Sequence, residues 1–279
     1  MTADLPPLRE IIARYDLGAK KSLGQHFLLD LNLTRKIARA ANVAAGDTVV
    51  EVGPGPGGLT RALLEAGARV IAVERDARCI AALEELAAAF PGALTIVAGD
   101  ALMIDERVVA GGEPVKIVAN LPYNISTELL IKWLRANSEA RPLWSLMALM
   151  FQKEVADRII AAPGSKTYGR LSVIAQAASR PARAFDLPAR AFTPPPKVDS
   201  SVVVFSPAPA RVENIAALEK VTQAAFSQRR KMLRASLKPL WGGETERRLA
   251  EAGVPATDRA EDVPVDRYLA LAGSLADVG

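Results

Sequence analysis

Residues 120–123 read Asn120-Leu-Pro-Tyr123, a grouping suited to chemistry on an aromatic amine. The exocyclic amine of adenine is a poor nucleophile because its lone pair is delocalised into the ring. The side-chain oxygen of Asn120 and the main-chain carbonyl of Leu121 can accept both amine hydrogens, which makes the nitrogen more pyramidal and frees its lone pair. Tyr123 offers a ring on which an extruded base can stack. Such a site acts through placement and charge arrangement and needs no strong base. Read as local structure alone, the same residues are a turn at which Pro122 takes the chain out of a β-rich run.

A second chemical feature is Val49-Val-Glu-Val-Gly-Pro-Gly-Pro-Gly-Gly-Leu-Thr60, with four glycines in six residues, 53–58. Glycines in a turn between strand and helix allow close approach of a ligand to the backbone, where a Cβ would clash. Gly53, Gly55 and Gly58 fit the G-x-G-x-x-G spacing of dinucleotide sites. Glu51, just before the first glycine, instead suits an ammonium or sulfonium charge and favours S-adenosylmethionine over NAD. Taken alone, the loop leaves both open. Glu74, about 20 residues further on, is placed to accept ribose hydroxyls in either case, and Asp100 to accept from an adenine amino group.

These groups need a scaffold that collects them. Runs of β-forming residues at 48–52, 70–73, 94–97, 116–119 and 144–151 alternate with helical patterns. One such pattern is Leu59, Ala62, Leu63 and Ala66, which Gly67 ends. Strand, helix, strand repeated in this way predicts a parallel α/β sheet with right-handed crossovers. Glu51, Glu74, Asp100 and Asn120 each close a strand, so the topology brings them to one sheet edge, where open α/β sheets bind ligands. Two later runs, 182–187 and 200–205, are expected as antiparallel edge strands. Leu8, Ile11, Ile12 and Tyr15 form one helical stripe, and 18–28 reads as a basic loop or lid. Cys79, Trp133 and Trp144 read as core, whereas Phe192, beside three prolines, does not.

The 279 residues are half hydrophobic and carry 35 Lys and Arg against 31 Asp and Glu, a formal charge of +4. That composition excludes a disordered or fibrous chain. One Cys and one His exclude a disulfide framework and a Cys/His metal centre, so no metal is expected. Pro6, Pro7, Arg9 and Glu10 stand where a signal peptide needs an apolar core, so none is expected, and the most apolar stretch is shorter than the roughly 20 residues of a membrane span. A soluble, cytoplasmic protein is expected. The proline-spaced Ser206-Pro-Ala-Pro-Ala210 divides a Rossmann-like domain, 1–206, from a helical one, 207–279. From 220 to 243 there is no acidic residue, while Arg229, Arg230, Lys231, Arg234 and Lys238 cluster. On one helix Arg230, Arg234 and Lys238 would share a face. With Lys20, Lys21, Lys166 and Arg170 on loops, they form a candidate RNA phosphate-contacting surface.

Four ordered motifs, Gly24-Gln-His-Phe-Leu28, Glu51-Val-Gly-Pro-Gly-Pro-Gly57, Asn120-Leu-Pro-Tyr-Asn-Ile-Ser-Thr127 and Phe192-Thr-Pro-Pro-Pro-Lys-Val-Asp-Ser200, together resemble the ribosomal RNA adenine dimethyltransferases. The branch most similar is the bacterial one that dimethylates two adjacent adenosines near the 3′ end of 16S rRNA. The resemblance runs from about Lys20 to the C-terminus. It implies a class I methyltransferase sheet with a small helical C-terminal domain, S-adenosylmethionine as donor, and N6,N6-dimethyladenosine as product. The expected partner is 16S rRNA within an immature small subunit, and as nothing in the sequence requires an oligomer, a monomer is expected. The resemblance also implies that His26 and Leu28 touch the cofactor, that Gly53 lines its methionine end, and that Glu74 and Asp100 hold ribose and adenine. Asn120 would bridge cofactor and target, with Tyr123 and Phe192 as two faces around the base. His26 stands where the family's motif often has Asn. A large-subunit rRNA adenine methyltransferase and a mainly non-catalytic ribosome assembly factor on the same fold are the alternatives.

Overall fold

The β-branched runs form strands, as their side-chain shape favours, in a computed structural model that describes residues 5–18, 25–228 and 231–276. The first half of the chain holds α1 (Leu8–Arg14), β1 (Phe27–Leu28), α2 (Leu31–Ala40), β2 (Thr48–Val52), α3 (Gly58–Glu65), β3 (Arg69–Glu74), α4 (Ala77–Ala89) and β4 (Leu94–Ala98). Then come α5 (Glu106–Val109), β5 (Val115–Asn120), α6 (Ser126–Asn137), β6 (Trp144–Gln152), α7 (Lys153–Ile159), α8 (Arg170–Ala178) and β7 (Ser179–Leu187). The remainder holds β8 (Phe192–Thr193), β9 (Ser200–Pro207), α9 (Ile215–Ser227), α10 (Leu233–Ser236), α11 (Lys238–Trp241), α12 (Thr245–Glu251) and α13 (Val265–Ala276).

Seven strands make one sheet in the order β4-β3-β2-β5-β6-β9-β7. β2 runs parallel to β3 and β5, β3 to β4, and β5 to β6. Val49, Val50, Ile117 and Val118 in the two middle strands are fully buried, as expected where helices cover both faces of a parallel sheet. Between β2 and β5 the chain has switched sides: β2 continues to β3 on one flank, and β5 returns on the other. That switch point opens a crevice beyond the strand ends.

Two expectations change. The run at 200–205 is not an edge strand: β9 lies antiparallel to β6, from Met147 opposite Phe205 to Gln152 opposite Ser200, and sits between β6 and β7. Val202, Val203 and Phe205, all fully buried, need cover on both faces, which an edge does not give. The outer β7 alternates between exposed and half-buried residues, as an edge strand does. The expected loop at 18–28 contains β1, which pairs antiparallel with β8, Leu28 opposite Phe192. Residues 19–24, with Lys20 and Lys21, lie outside the described residues.

The chain divides into two units. The first comprises Met1–Trp133, Pro142–Ala156 and Ala182–Ser206; the second comprises Leu134–Arg141, Asp157–Pro181 and Pro207–Gly279. The division at 206 is where the proline-spaced segment stands, but two earlier pieces also go with the helical unit. Their reason is packing: α8 lies against α9 and α13. Within that unit Phe226 packs edge-on against Tyr168 and stacks on Tyr268. The two buried tyrosine hydroxyls donate to the carbonyls of Val263 and Ala260 at 2.9 and 2.8 Å.

In the first unit the loop after β4 is held by one buried carboxylate. Glu106 Oε1 accepts from the Trp133 indole N–H at 2.7 Å and from Lys132 Nζ at 2.8 Å. Lys132 also donates to the carbonyls of Ala101 and Ile104. Glu106→Ala leaves the buried Trp133 N–H without its acceptor and the Lys132 ammonium without its counter-charge. The expected loss is about 2–4 kcal/mol of unfolding free energy, read by urea denaturation, with Glu106→Gln losing less. An unchanged midpoint would remove this cluster from the account of the fold.

Candidate active site

The crevice beyond β2 and β5 has a volume of about 850 Å³, its open mouth included. Eleven of the residues singled out from sequence line it: His26, Leu28, Glu51, Gly53, Gly55, Gly58, Glu74, Asp100, Asn120, Leu121 and Tyr123. Parallel register accounts for most of this. Glu51 is the penultimate residue of β2, Glu74 closes β3, Asp100 follows β4, and Asn120 ends β5. Gly55 adopts φ +56°, a conformation that favours glycine, and a Cβ there would meet the Phe27 ring at 2.9 Å. A Cβ on Gly58 would lie 2.7 Å from the Leu28 carbonyl. The glycines therefore let β1 pack onto the loop as well as opening the crevice.

Glu51 is only 1% exposed, and its Oε2 has no hydrogen-bond partner. Burial pushes its carboxyl up to about 8; Thr60 opposes the shift and the nearby Glu74 adds to it. Glu74 is buried too, and burial raises it. Main-chain N–H groups of Arg75 and Asp76 donate to its Oε1 at 2.8 and 2.9 Å and that of Gly55 to its Oε2 at 3.2 Å, which holds the shift back. Asp100 Oδ1 accepts from the Leu102 N–H at 3.0 Å, and its Oδ2 from Arg75 at 3.3 Å. Arg75 lines the crevice and was not expected there. Its only sequence signal is its place directly after Glu74.

At the β5 end, Asn120 Nδ2 donates to the His26 carbonyl at 3.0 Å, which leaves Oδ1 as the acceptor facing other partners. The Tyr123 hydroxyl and Ser200 Oγ are 2.6 Å apart, so the last residue of the Phe192–Ser200 motif fixes the tyrosine ring. Burial raises the Tyr123 hydroxyl above its ordinary value, keeping it protonated. Phe192 is not brought into the crevice. It is 2% exposed, paired with Leu28 and packed in the main hydrophobic core. The prolines that argue against a core residue follow it, and the short β8 still buries its side chain.

The family model of ribosomal RNA adenine dimethylase matches residues 17–277. The chain belongs to the ribosomal RNA adenine dimethylase family. Among its relatives are proteins named ribosomal RNA small subunit methyltransferase A. That from Xanthobacter autotrophicus is 57% identical over 278 residues, 99% of this chain and 96% of the relative. That from Phenylobacterium zucineum is 59% identical over 270 residues, 96% and 92% of the two chains. A dimethyladenosine transferase structure from Plasmodium falciparum superimposes with a TM-score of 0.75 at 26% identity, over 88% of this chain and 96% of that one. The 23S rRNA methyltransferase ErmE superimposes at 0.68, with 24% identity, over 90% and 99%. The sheet is thus a class I methyltransferase fold.

As a member of the dimethylase family the chain uses S-adenosylmethionine, and its crevice fits that molecule. A buried carboxylate with one unpartnered oxygen suits a cation, and carboxylates at the ends of β3 and β4 suit ribose and adenine. Among the described residues no group of three or more His, Cys, Asp or Glu is placed to hold a metal ion, and no helix is long and apolar enough to cross a membrane.

Of the basic residues, Lys166, Arg170, Lys231, Arg234 and Lys238 are exposed in the second unit. Arg229 and Arg230 lie outside the described residues. The expected single helix through 230, 234 and 238 is not formed: Arg234 lies in α10 and Lys238 in α11. Met232 bridges to Arg259, and the N–H groups of Leu233 and Arg234 donate to the carbonyls of Asp258 and Ala256. These tertiary bonds fix the start of α10 at Leu233, and Leu237 separates α10 from α11, so 231–238 is not one helix. Arg170 lies 3.8 Å from Glu219 and Arg234 3.9 Å from Glu246.

Because the folded carboxyl of Glu51 lies above its ordinary value, its protonated form stabilises the fold fully at low pH. That stability is lost as pH rises from about 4.5 towards about 8. A cationic ligand beside it prefers the carboxylate. Affinity for S-adenosylmethionine is expected to rise as pH is raised towards 8, by at most about tenfold per pH unit, and Glu51→Gln is expected to flatten the profile. Calorimetric titration across pH checks this; the same slope in the variant would remove Glu51 from the cofactor site.

Proposed function

We propose that this chain dimethylates N6 of two adjacent adenosines near the 3′ end of 16S rRNA, with S-adenosylmethionine as donor. The observation that carries the reading is the meeting, in one crevice, of the Asn120–Tyr123 group with the unpartnered carboxylate of Glu51. The relatives' small-subunit names support 16S rRNA over large-subunit rRNA. On this reading the enzyme is a cytoplasmic monomer whose partner is 16S rRNA in an immature small subunit.

S-adenosylmethionine, when bound, supplies an electrophilic methyl group on a sulfonium. Glu51, Gly53 and Gly55 face its methionine end, Glu74 holds the ribose and Asp100 the adenine, with the main chain of His26, just before β1, and Leu28 of β1 against it. Asn120 Oδ1 and the Leu121 carbonyl accept the two hydrogens of the target amine and turn its lone pair toward the donor. Tyr123, held at its hydroxyl by Ser200, stacks on the extruded base. Asn120 Oδ1 and the Leu121 carbonyl only accept hydrogen bonds; once the methyl is on N6, the nitrogen loses its extra proton to water, so orientation and electrostatics carry the rate. Exposed Lys166, Arg170, Lys231, Arg234 and Lys238 contact phosphates.

Labelled S-adenosylmethionine offered with small subunits lacking the modification, and separately with bare large-subunit rRNA, tests the reaction. Label is expected only in 16S rRNA. Label only in the large-subunit RNA would overturn the substrate, and no label despite cofactor binding would favour an assembly factor. Asn120→Ala should retain RNA binding and lose about 100-fold or more in transfer rate.

The RNA surface has its own test in the salt dependence of binding. Replacing Lys231, Arg234 and Lys238 by Ala should reduce the slope of log K against log salt by about 0.7 for each phosphate that is no longer neutralised. Fluorescence anisotropy over a salt series measures it, and an unchanged slope would place the RNA elsewhere.

A further inference from the structure

Three elements meet at His26. Its main-chain carbonyl accepts from Asn120 Nδ2 at 3.0 Å. Its ring Nδ1 lies 2.8 Å from the carbonyl of Pro194, which can only accept, so Nδ1 carries the hydrogen and donates. The same ring stacks on Tyr123, with centroids 5.4 Å apart and planes 28° from parallel. The next residue, Phe27, pairs with Thr193, so the His26 side chain and the adjoining strand grip one turn from two sides.

We propose that His26 is a positioning residue for methyl transfer, its ring anchoring the backbone that orients Asn120 and bracing the stacking face of Tyr123. The inference rests on the dimethyltransferase reading above. An Asn amide has an accepting end and a donating end, and the target amine also donates. Were the Asn120 amide turned over, donors would face donors and the amine would lose its acceptor. The His26 carbonyl selects the productive end by engaging Nδ2. Replacing the side chain leaves that carbonyl in place; it removes the ring interactions that hold the carbonyl against Asn120. Tyr123 is fixed at its hydroxyl by Ser200 and covered on one face by His26, so it presents the opposite face to a base. Phe192, expected to share the aromatic work, is packed in the core, and His26 is the aromatic neighbour that Tyr123 has in this site.

Three variants separate the two roles of the ring. His26→Asn keeps an N–H for the Pro194 carbonyl and loses the ring, His26→Phe keeps a ring and loses the donor, and His26→Ala loses both. The measurements are single-turnover transfer to unmodified small subunits at saturating S-adenosylmethionine, cofactor affinity by calorimetry, and thermal melting. His26→Ala is expected to slow transfer about 30- to 100-fold, with cofactor affinity within about threefold and melting little changed. His26→Asn and His26→Phe should each recover part of the rate. The effect should also shrink in a Tyr123→Ala background, because the two residues act through one stacked pair.

An undiminished rate in His26→Ala overturns the inference. So does a loss that raising the cofactor concentration fully restores, because the side chain would then be a cofactor ligand. A slow His26→Asn and His26→Phe with melting lowered in parallel would reduce His26 to a structural role. Wild-type protein that labels no RNA would overturn the dimethyltransferase reading itself, a different result from any of these.

Discussion

Parallel pairing of β2 with β3 and β5 is the constraint on which the site depends. Glu51 lies opposite Ala72 and Glu74 opposite Ala98, which levels the strand ends and brings their carboxylates out at one edge. A slip of one residue would turn every side chain of a strand to the other face. The fully buried valines and isoleucines of β2 and β5 make that slip costly, because both faces are covered. The same burial that fixes the register desolvates Glu51, one residue before the end of β2. The raised carboxyl of Glu51 is therefore a direct consequence of the sheet, and a cation entering the crevice offsets a cost that the fold has already imposed.

The glycine loop couples this edge to the N-terminal segment. Gly55 and Gly58 leave room for the Phe27 ring and the Leu28 carbonyl, and β1 in turn pairs with β8. A Cβ in the loop would thus disturb the cover of the crevice even with no ligand bound. The run of glycines has two reasons, ligand approach and strand packing, and only the first is visible in a short motif.

Much of the fold is legible in local sequence because both determinants are local. Periodicity marks the strands and helices, and alternation of the two implies parallel crossovers, which place Glu51, Glu74, Asp100 and Asn120 together. What was not legible depends on pairing between distant segments. The insertion of β9 between β6 and β7 rests on a strand order that no local pattern encodes. Phe192 reads as a proline-flanked loop residue until its pairing with Leu28 is known. Arg234 and Lys238 fall at helical spacing, yet they stand in two short helices, α10 and α11, and main-chain bonds to 256–259 set where the first begins. Arg75 carries no motif, and its ion pair with Asp100 depends on two neighbouring strands ending at the same level.

Net charge illustrates the same dependence on placement. The +4 total averages groups that act under different dielectric conditions. Glu51 and Glu74 are buried in the first unit, where a charge acts on what touches it. Lys231, Arg234 and Lys238 are exposed in the second, where attraction for a polyanion extends about 10 Å at 0.1 M salt and fades beyond that. The buried acids do little to cancel the exposed bases in the field a nucleic acid would feel, because Glu51, pushed up to about 8, is largely protonated at neutral pH and Glu74 is met by main-chain N–H groups. Charge counted along the chain therefore says little about the local potential at the crevice or at the exposed bases of the helical unit.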